Sequence, residues 1–237
     1  MSTTTNSYLS IAVVLAALAG WTAASPGPGM AFTGRTPSFG PALALQEKRS
    51  TRIVQAPPLQ APAPELTAAP GNPVAVVATS LGDITLELFK DRAPVSVENF
   101  LQYVTEGFYS DTVFHRVVTG FMIQGGGYPA TLVEKTTRAP IRNEATNGLR
   151  NSRGTLGMAR QQSLRSGTSQ FYVNVADNRM LDHTGYSPQD FGYAVFGRVL
   201  SGMEVADRIA AMPTKTVNGM ENVPVEPVVI KSITLRK

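Results

Sequence analysis

The 237-residue chain contains no cysteine and only two histidines, His115 and His183. Without cysteine it has no disulfide, no thiolate nucleophile and no cysteine-bearing zinc site. Neither histidine has a second histidine at the spacing that is typical of a metal site. We therefore expect no metal site, and no motif in the chain predicts a cofactor.

A strong charge of either sign is also missing. The chain has 21 Lys and Arg against 17 Asp and Glu, and four basic and two acidic residues precede Asn72, which leaves +2 (17 minus 15) for the rest. Nucleic-acid binding needs clustered Lys and Arg, so no such partner is expected. P-loop and G-x-S-x-G motifs are absent, and Gly125–Gly127 leads into Tyr128-Pro129-Ala130 rather than into a helix.

Residues 1–24 are predicted to be a signal peptide or an N-terminal anchor. The apolar stretch Ile11–Trp21 is shorter than the ~20 residues that span a bilayer. Small residues suited to cleavage end at Ala19 or at Ala24. No Lys or Arg precedes the stretch, unlike in a typical export signal, so two readings stay open beside export to the periplasm: an uncleaved membrane anchor and an organellar transit segment. A membrane contact is expected only if the segment is uncleaved.

Residues 25–73 are predicted to be a disordered linker. They carry ten prolines, much alanine and few aromatic residues, so burial cannot offset the entropy that ordering would cost. A Pro-rich segment of this kind is semi-extended. It would serve as a neutral spacer, which we favour, or as a tether that holds the next domain away from a membrane or partner.

Residues 74–237 are predicted to form one β-rich domain. Val74–Thr79 and Ile84–Phe89 flank a turn and predict a hairpin. An amphipathic helix is predicted over Pro94–Glu106, and a second, shorter helix over Met203–Ala210. Further strands are predicted at Thr112–Val118, Phe121–Gln124, Gly154–Ala159, Gln170–Val175, Tyr193–Val199 and Val228–Leu235. Many short strands with two helices indicate a barrel.

The predicted strands around residue 116 bring together one cation with apolar and amide side chains. The two-residue period of a strand places Met122 and Gln124 on one face, so an apolar floor and an amide donor lie side by side. Arg116 lies in the preceding strand. For its neighbour His115 we expect a core or hydrogen-bonded histidine rather than a catalytic one.

Four segments carry a resemblance to a known family. They are FYSDTVFHRVVTGFMIQGGG (Phe108–Gly127), NEATNGLRNSRGTLGMAR (Asn143–Arg160), SQFYVNVADN (Ser169–Asn178) and FGYAVFGRV (Phe191–Val199). In order and spacing they resemble the cyclophilins, and most of all the bacterial periplasmic type, from about Val74 to the end of the chain. The resemblance implies a mainly β fold, a closed antiparallel eight-stranded β-barrel with two α-helices, and peptidyl-prolyl cis/trans isomerase activity.

The same resemblance implies the roles of single residues. Arg116 is the implied catalytic residue. The implied substrate-binding residues are Phe121, Met122, Gln124, Ala159, Arg160, Gln170, Tyr172, Met180, Leu181 and Tyr193. Among these, an apolar group holds the proline ring, whereas Gln124, Arg160 and Gln170 restrain the peptide backbone.

Three positions depart from the family's patterns. Tyr172 stands where many members have phenylalanine, and an unpaired buried hydroxyl would cost about 1–3 kcal/mol, so we expect it to bond to water or to a neighbour. Met180 stands where the eukaryotic type has tryptophan, and the lost donor predicts weak inhibition by cyclosporin. Tyr193 stands where the eukaryotic type has histidine.

The implied reaction suits a site of this composition. Rotation about an X-Pro bond makes and breaks no covalent bond, but it crosses about 18–20 kcal/mol because amide resonance is lost. The enzyme only has to bind the twisted amide better than the planar forms. The expected partners are proline-containing peptides and unfolded or folding proteins, bound by a monomer. A prolyl-peptide binding or chaperone module without catalysis, and an oligomeric envelope protein using the Pro-rich arm, stay open as alternatives.

Overall fold

The computed structural model describes residues 66–236, which hold ten strands and two α-helices. The strands are β1 (Val74–Thr79), β2 (Gly82–Leu88), β3 (Thr112–Val118), β4 (Met122–Pro129), β5 (Thr155–Met158), β6 (Phe171–Asn174), β7 (Val195–Ser201), β8 (Thr214–Val217), β9 (Met220–Pro224) and β10 (Val229–Arg236). The helices are α1 (Pro94–Thr105) and α2 (Met203–Ala210), and short 3-10 turns occupy Ala145–Asn147 and Arg179–Leu181. The predicted signal segment, and the predicted linker up to residue 65, lie outside the described residues.

Eight strands close into a barrel in the order β1-β10-β3-β4-β6-β5-β7-β2, and every neighbouring pair is antiparallel. The predicted fold, a closed antiparallel eight-stranded barrel with two α-helices, is confirmed. Closure pairs both edges of the sheet, and a barrel of eight strands has an interior that side chains fill. Positions that point away from the interior are therefore the ones left for a binding site.

Aromatic side chains form the centre of the core. Phe100 of α1 lies among the rings of Tyr109, Phe171 and Phe196, with centroid separations of 5.2, 5.5 and 5.6 Å. Helix α1 begins with Pro94, whose missing N–H is not needed at a first helical position. It contacts β7 and β10, whereas α2 contacts β2, β3 and β4. Among residues 66–236 no helix has the length and apolar character needed to cross a membrane.

The hairpin of β8 and β9 is an element that the sequence patterns did not predict. Its strands show no apolar alternation because β8 is almost wholly exposed. The available signal is Asn218-Gly219, whose φ angles of 50° and 80° are those of a tight hairpin turn. Strand β9 packs on β3. Glu221 of β9 acts on the charge of Arg116, so the hairpin lies beside that residue.

Strand β4 continues through the three glycines, beyond its predicted end at Gln124. Glycine usually interrupts a strand, but here close packing requires it. A Cβ on Gly126 would lie 2.9 Å from the rings of Phe171 and Tyr109. The glycine run therefore lets the strand pass over two aromatic rings of the core.

The last residues of the predicted linker, 66–73, lie against the barrel. The Leu66 N–H donates to the Leu200 carbonyl (3.2 Å), and the Leu88 N–H donates to the Pro73 carbonyl (2.9 Å). Glu87, only 1% exposed, accepts at one oxygen from the Ala69 N–H and the Asn72 amide, both at 2.8 Å. Its other oxygen accepts from Nε of Arg198 at 2.7 Å. The domain boundary at residue 73 stays a prediction.

Replacing Glu87 by Gln is expected to lower the free energy of unfolding at pH 7 by about 1.5–3 kcal/mol, because three donors lose a charged acceptor. Burial raises the pKa of Glu87, but the bonds from Asn72, Ala69 and Arg198 outweigh it and lower the pKa below 4.5. The stabilisation is therefore present above pH 4.5 and is lost as the pH falls through the lower folded-state value. Urea unfolding at pH 7 measures it, with the exposed Glu98→Gln as control. Equal stability of Glu87→Gln and the parent chain would contradict this role.

Candidate functional site

One row of residues runs across four neighbouring strands. Arg116 of β3 lies opposite Gln124 of β4, Gln124 lies opposite Tyr172 of β6, and Tyr172 lies opposite Gly157 of β5. Opposed residues of antiparallel strands share a face, and their sequence neighbours point to the other face. The neighbour Ile123 belongs to the core. The row therefore lies on the outer face of the barrel.

Arg116 is half-buried and carries the one charge of this row. Its Nη1 donates to Oε1 of Gln124 over 3.5 Å, a long hydrogen bond. Burial lowers the pKa of Arg116, and the nearby Tyr193 and Glu221 act in the opposite direction. Even so, a guanidinium stays charged at physiological pH. Within residues 66–236 Arg116 forms no ion pair, so its charge can act on a bound ligand.

Two glutamines and an acid hold the polar side of the site. Nε2 of Gln124 donates to Oε1 of Gln170 at 2.8 Å, and Nε2 of Gln170 donates to Oε1 of Glu134 at 3.0 Å. An amide has one acceptor end and one donor end, so this series of hydrogen bonds sets the orientation of both glutamine amides. It turns the Gln124 oxygen toward Arg116. Glu134, which was not among the predicted site residues, is the solvent-exposed end of this hydrogen-bonded series.

The predicted apolar residues come from separate segments that hydrogen bonds draw together. The Phe121 carbonyl accepts from Nδ2 of Asn178 at 2.8 Å. The Tyr193 N–H donates to the Leu181 carbonyl at 2.9 Å. The Tyr172 and Tyr193 rings meet edge to face, with centroids 6.1 Å apart. Two further predicted residues adjoin this set: Met122, which is buried, and Ala159, whose N–H donates to the Gln170 carbonyl.

The Tyr172 hydroxyl has a protein partner. It donates to Oδ1 of Asn151 at 2.6 Å, and Tyr172 is 4% exposed. Burial raises the pKa of Tyr172 well above its ordinary value, so the hydroxyl stays protonated. The expectation that this hydroxyl bonds to water or to a neighbour is confirmed. Asn151 was not among the predicted residues, because only the folded chain brings it to Tyr172.

Arg160 directs its guanidinium at its own chain. Nε donates to the Gly192 carbonyl at 3.0 Å, and Nη2 donates to the Pro188 carbonyl at 2.9 Å. Nη1 donates to the carbonyls of Gln161 and Gln162. The guanidinium also lies 4.6 Å from the centre of the Tyr193 ring. These bonds tie the segment 183–192 to the rim of the site, and the predicted contact of Arg160 with a peptide backbone stays a prediction.

Met180 differs from the other predicted residues in its surroundings. It is 79% exposed, in the 3-10 turn Arg179–Leu181. The Tyr186 side chain is also highly exposed, at 82%. Thioether and ring therefore face solvent, and the role of Met180 in binding stays a prediction.

His115 is a core residue, as expected. It is 4% exposed, and its ring lies 4.5 Å from the centre of the Tyr128 ring. Burial lowers its pKa to about 4, so the imidazole is neutral at physiological pH. Because His115 is neutral, Arg116 is the charged member of this pair of neighbouring residues in β3.

Other parts of the described chain offer less chemistry. Residues 66–236 contain no group of three or more His, Asp or Glu side chains that could hold a metal ion. A groove of about 530 Å³ runs along α1; this α1 groove is lined by Lys90, Pro94, Val97, Glu98, Leu101, Gln102, Thr105 and Glu106. It contains no arginine. The Arg116 row is therefore the better candidate site.

Comparison with known proteins identifies the family. Residues 74–235 match the family described as "Cyclophilin type peptidyl-prolyl cis-trans isomerase/CLD". The chain belongs to the cyclophilins. Peptidyl-prolyl cis-trans isomerase A of Dickeya dadantii is 53% identical over 162 residues, 68% of this chain and 84% of that protein. Peptidyl-prolyl cis-trans isomerase B of Escherichia coli is 50% identical over 157 residues, 66% and 96% of the two chains.

Solved structures show the same fold. A cyclophilin-type isomerase of Cryptosporidium parvum superposes with a TM-score of 0.61 at 25% identity, over 70% of this chain and 98% of that one. Its structure in the presence of the dipeptide Ala-Pro gives a TM-score of 0.60 at 26% identity, over 69% and 99%. The activity of this cyclophilin is peptidyl-prolyl cis/trans isomerisation.

Arg160→Lys is expected to loosen the segment 183–192 of this cyclophilin, because an ammonium cannot reach the separate carbonyls that the guanidinium spans. Losing about 1 kcal/mol of hydrogen bonding should raise the equilibrium constant for local opening of this segment about fivefold to tenfold. Hydrogen exchange at the Thr184, Gly185 and Phe191 amides, which bond within this segment, measures it. Arg153→Lys, at the Asp207 ion pair, is the control. Unchanged exchange in Arg160→Lys would show that Arg160 does not hold this segment.

His115→Phe is expected to reduce the acid sensitivity of the fold. The folded-state pKa of His115 is about 4 against an ordinary value of 6.5, so protonation favours the unfolded chain. Stability from the neutral ring is complete above pH 6.5 and is lost as the pH falls toward 4, by about 3 kcal/mol. Urea unfolding from pH 7 to 4 should show the parent chain losing more stability than the variant. Parallel pH profiles would show that His115 does not carry this dependence.

Proposed function

We propose that this cyclophilin binds proline-containing segments of unfolded or folding exported proteins at the Arg116 row and accelerates rotation about their X-Pro bonds. The observation that carries the assignment of the site is the position of Arg116. Its guanidinium is oriented by the Gln124 oxygen, lies near Tyr193, and has no ion-pair partner in residues 66–236. A charge held in this way is available to the substrate.

The charge of Arg116 suits the electronic change during rotation. As the X-Pro amide twists, resonance is lost and the prolyl nitrogen regains a lone pair. A guanidinium aimed at this nitrogen, or at the adjoining carbonyl, forms hydrogen bonds that are weak to the planar amide and strong to the twisted one. Binding that improves only at the top of the barrier lowers the barrier. In this proposal Arg116 is the catalytic residue.

The other residues of the face hold the substrate on either side of the rotating bond. Phe121, Met122, Ala159, Tyr172 and Leu181 enclose the proline ring. The Gln124 and Gln170 amides hold the peptide backbone, so that rotation occurs about one bond. The Cryptosporidium parvum relative, whose structure was determined in the presence of Ala-Pro, supports a prolyl peptide as the ligand.

The N-terminal sequence supports the proposed cellular setting. The apolar stretch Ile11–Trp21 and the small residues after it favour export, to the periplasm or beyond the cytoplasm. An uncleaved segment would instead anchor the enzyme in the membrane. We infer a monomer that acts on chains as they fold outside the cytoplasm. The mass of the mature protein distinguishes the cleaved form from the anchored form.

Arg116→Ala in the full chain is expected to lower kcat/KM for isomerisation of an Ala-Pro peptide by about 100-fold, the usual effect of removing one transition-state donor. Arg116→Lys should also lose about tenfold or more, because a point charge lacks the planar fork. Circular dichroism confirms folding, and Arg150→Ala, at an exposed arginine outside the row, is the control. Full activity in Arg116→Ala would contradict the assignment. An inactive parent chain that still binds the peptide would indicate a binding or chaperone module instead.

A further inference from the structure

Gly157 of β5 lies against the ring of Tyr172. A Cβ on Gly157 would lie 2.2 Å from Cζ of Tyr172 and 2.3 Å from its hydroxyl oxygen. Non-bonded carbon atoms pack at about 3.5–4.0 Å, so no larger residue fits while the ring stays in place. Gly157 is not among the glycines with positive φ. The space taken by the ring, and not the backbone conformation, therefore requires glycine here.

The hydroxyl at the tip of the same ring is fixed by a buried hydrogen bond. The Tyr172 hydroxyl donates to Oδ1 of Asn151 at 2.6 Å, and Asn151 is 1% exposed. The same oxygen accepts from Nδ2 of Asn174 at 3.3 Å. A buried hydroxyl that left this oxygen would lose its partner, which is unfavourable in a region closed to water. The tip of the Tyr172 ring is thus held by Asn151, and it lies where a side chain at position 157 would otherwise be.

Asn151 connects the Tyr172 ring to the loop segments that carry Leu181 and Tyr193. Its Nδ2 donates to the Leu181 carbonyl at 3.1 Å and, over a longer 3.4 Å, to the Tyr193 carbonyl. Its backbone N–H and Nδ2 both donate to Oδ1 of Asp182, at 2.7 and 3.2 Å. The Asn151 amide thus donates to the segments that carry Leu181 and Tyr193 and accepts from Tyr172. A single buried amide therefore sets the distance between those segments and the Tyr172 ring.

We propose that Gly157, Tyr172 and Asn151 form one positioning unit, in which the missing side chain at 157 lets the Tyr172 hydroxyl reach Asn151 and so fixes the floor of the proline pocket. The inference rests on the proposed substrate site. Asn151 and Gly157 touch no substrate in this arrangement and act through the ring of Tyr172. Alanine at 157 would displace the ring by about 1 Å or more, break the bond to Asn151 and push the hydroxyl into the space for the proline.

A double-mutant cycle tests the unit in the full chain. Gly157→Ala is expected to lower kcat/KM for an Ala-Pro peptide by about tenfold or more, because the ring occupies part of the pocket. Tyr172→Phe alone should lower kcat/KM by about threefold, because the apolar ring stays in the pocket but loses the bond to Asn151 that holds it in place. The double variant should recover at least about threefold over Gly157→Ala, because a phenyl ring is not tied to Asn151 and can move aside.

A matched control removes a buried hydroxyl elsewhere. The Tyr103 hydroxyl accepts from the Arg138 N–H at 2.8 Å, and Tyr103 is fully buried. Tyr103→Phe combined with Gly157→Ala should therefore give no recovery. Equal losses from Gly157→Ala in the parent chain and in the Tyr172→Phe variant would overturn the proposal, because they would show that the hydroxyl plays no part. If Arg116→Ala loses activity but the cycle shows no coupling, the positioning unit fails and the proposed site stands. If Arg116→Ala keeps full activity, the proposed site itself fails.

Folding is followed by thermal unfolding of each variant. If Gly157→Ala unfolds while the double variant folds and is active, the coupling is confirmed in a stronger form. If both are unfolded, the glycine serves packing in general and the proposal is overturned. The parent chain gives an independent check by NMR. A slowly exchanging Tyr172 hydroxyl proton close to the Asn151 side chain is expected, and a rapidly exchanging one would contradict the tether.

Discussion

The register of β3, β4, β6 and β5 is the constraint on which the site depends. It places Arg116, Gln124, Tyr172 and Gly157 opposite one another on the outer face. A slip of one residue in any of these strands would turn its side chain into the core and bring an apolar neighbour to the surface. Barrel closure and the packed aromatic core hold the register. The chemistry of the site is therefore fixed by the same contacts that stabilise the fold.

Buried asparagine side chains hold the loop segments of the site against the strands. The walls of the site come from the start of β4, from β6 and from two loop segments, and loop backbone that is partly buried needs partners for its carbonyls. Asn151 supplies them for Leu181 and Tyr193, and Asn178 supplies one for Phe121. Asn178 also donates to Asn174, which in turn donates to Asn151. The three asparagines thus form a connected polar layer behind the apolar wall, and this layer keeps four segments in one geometry.

The patterns of the sequence predicted the barrel strands and both helices, because their signals are local: alternation in the strands, and Pro94 with apolar spacing in α1. They missed the β8 and β9 hairpin, whose strands have no buried face. The assignment of Arg116 came from the family resemblance, since one arginine in a strand has no pattern of its own. Gly157 and Asn151 could not be predicted, because their importance lies in contacts between residues far apart along the chain. The same holds for the bonds that tie Arg160 to its own loop.

The most direct test of the central claim, that the Arg116 row is where X-Pro bonds are turned over, is exchange NMR on the full chain with an Ala-Pro peptide. One experiment reports the cis/trans exchange rate of the peptide and the chain amides whose shifts change. Accelerated exchange is predicted, with the largest shift changes at Arg116, Gln124, Tyr172 and Tyr193 and none in the α1 groove. Accelerated exchange with shift changes confined to the α1 groove would contradict the location of the site.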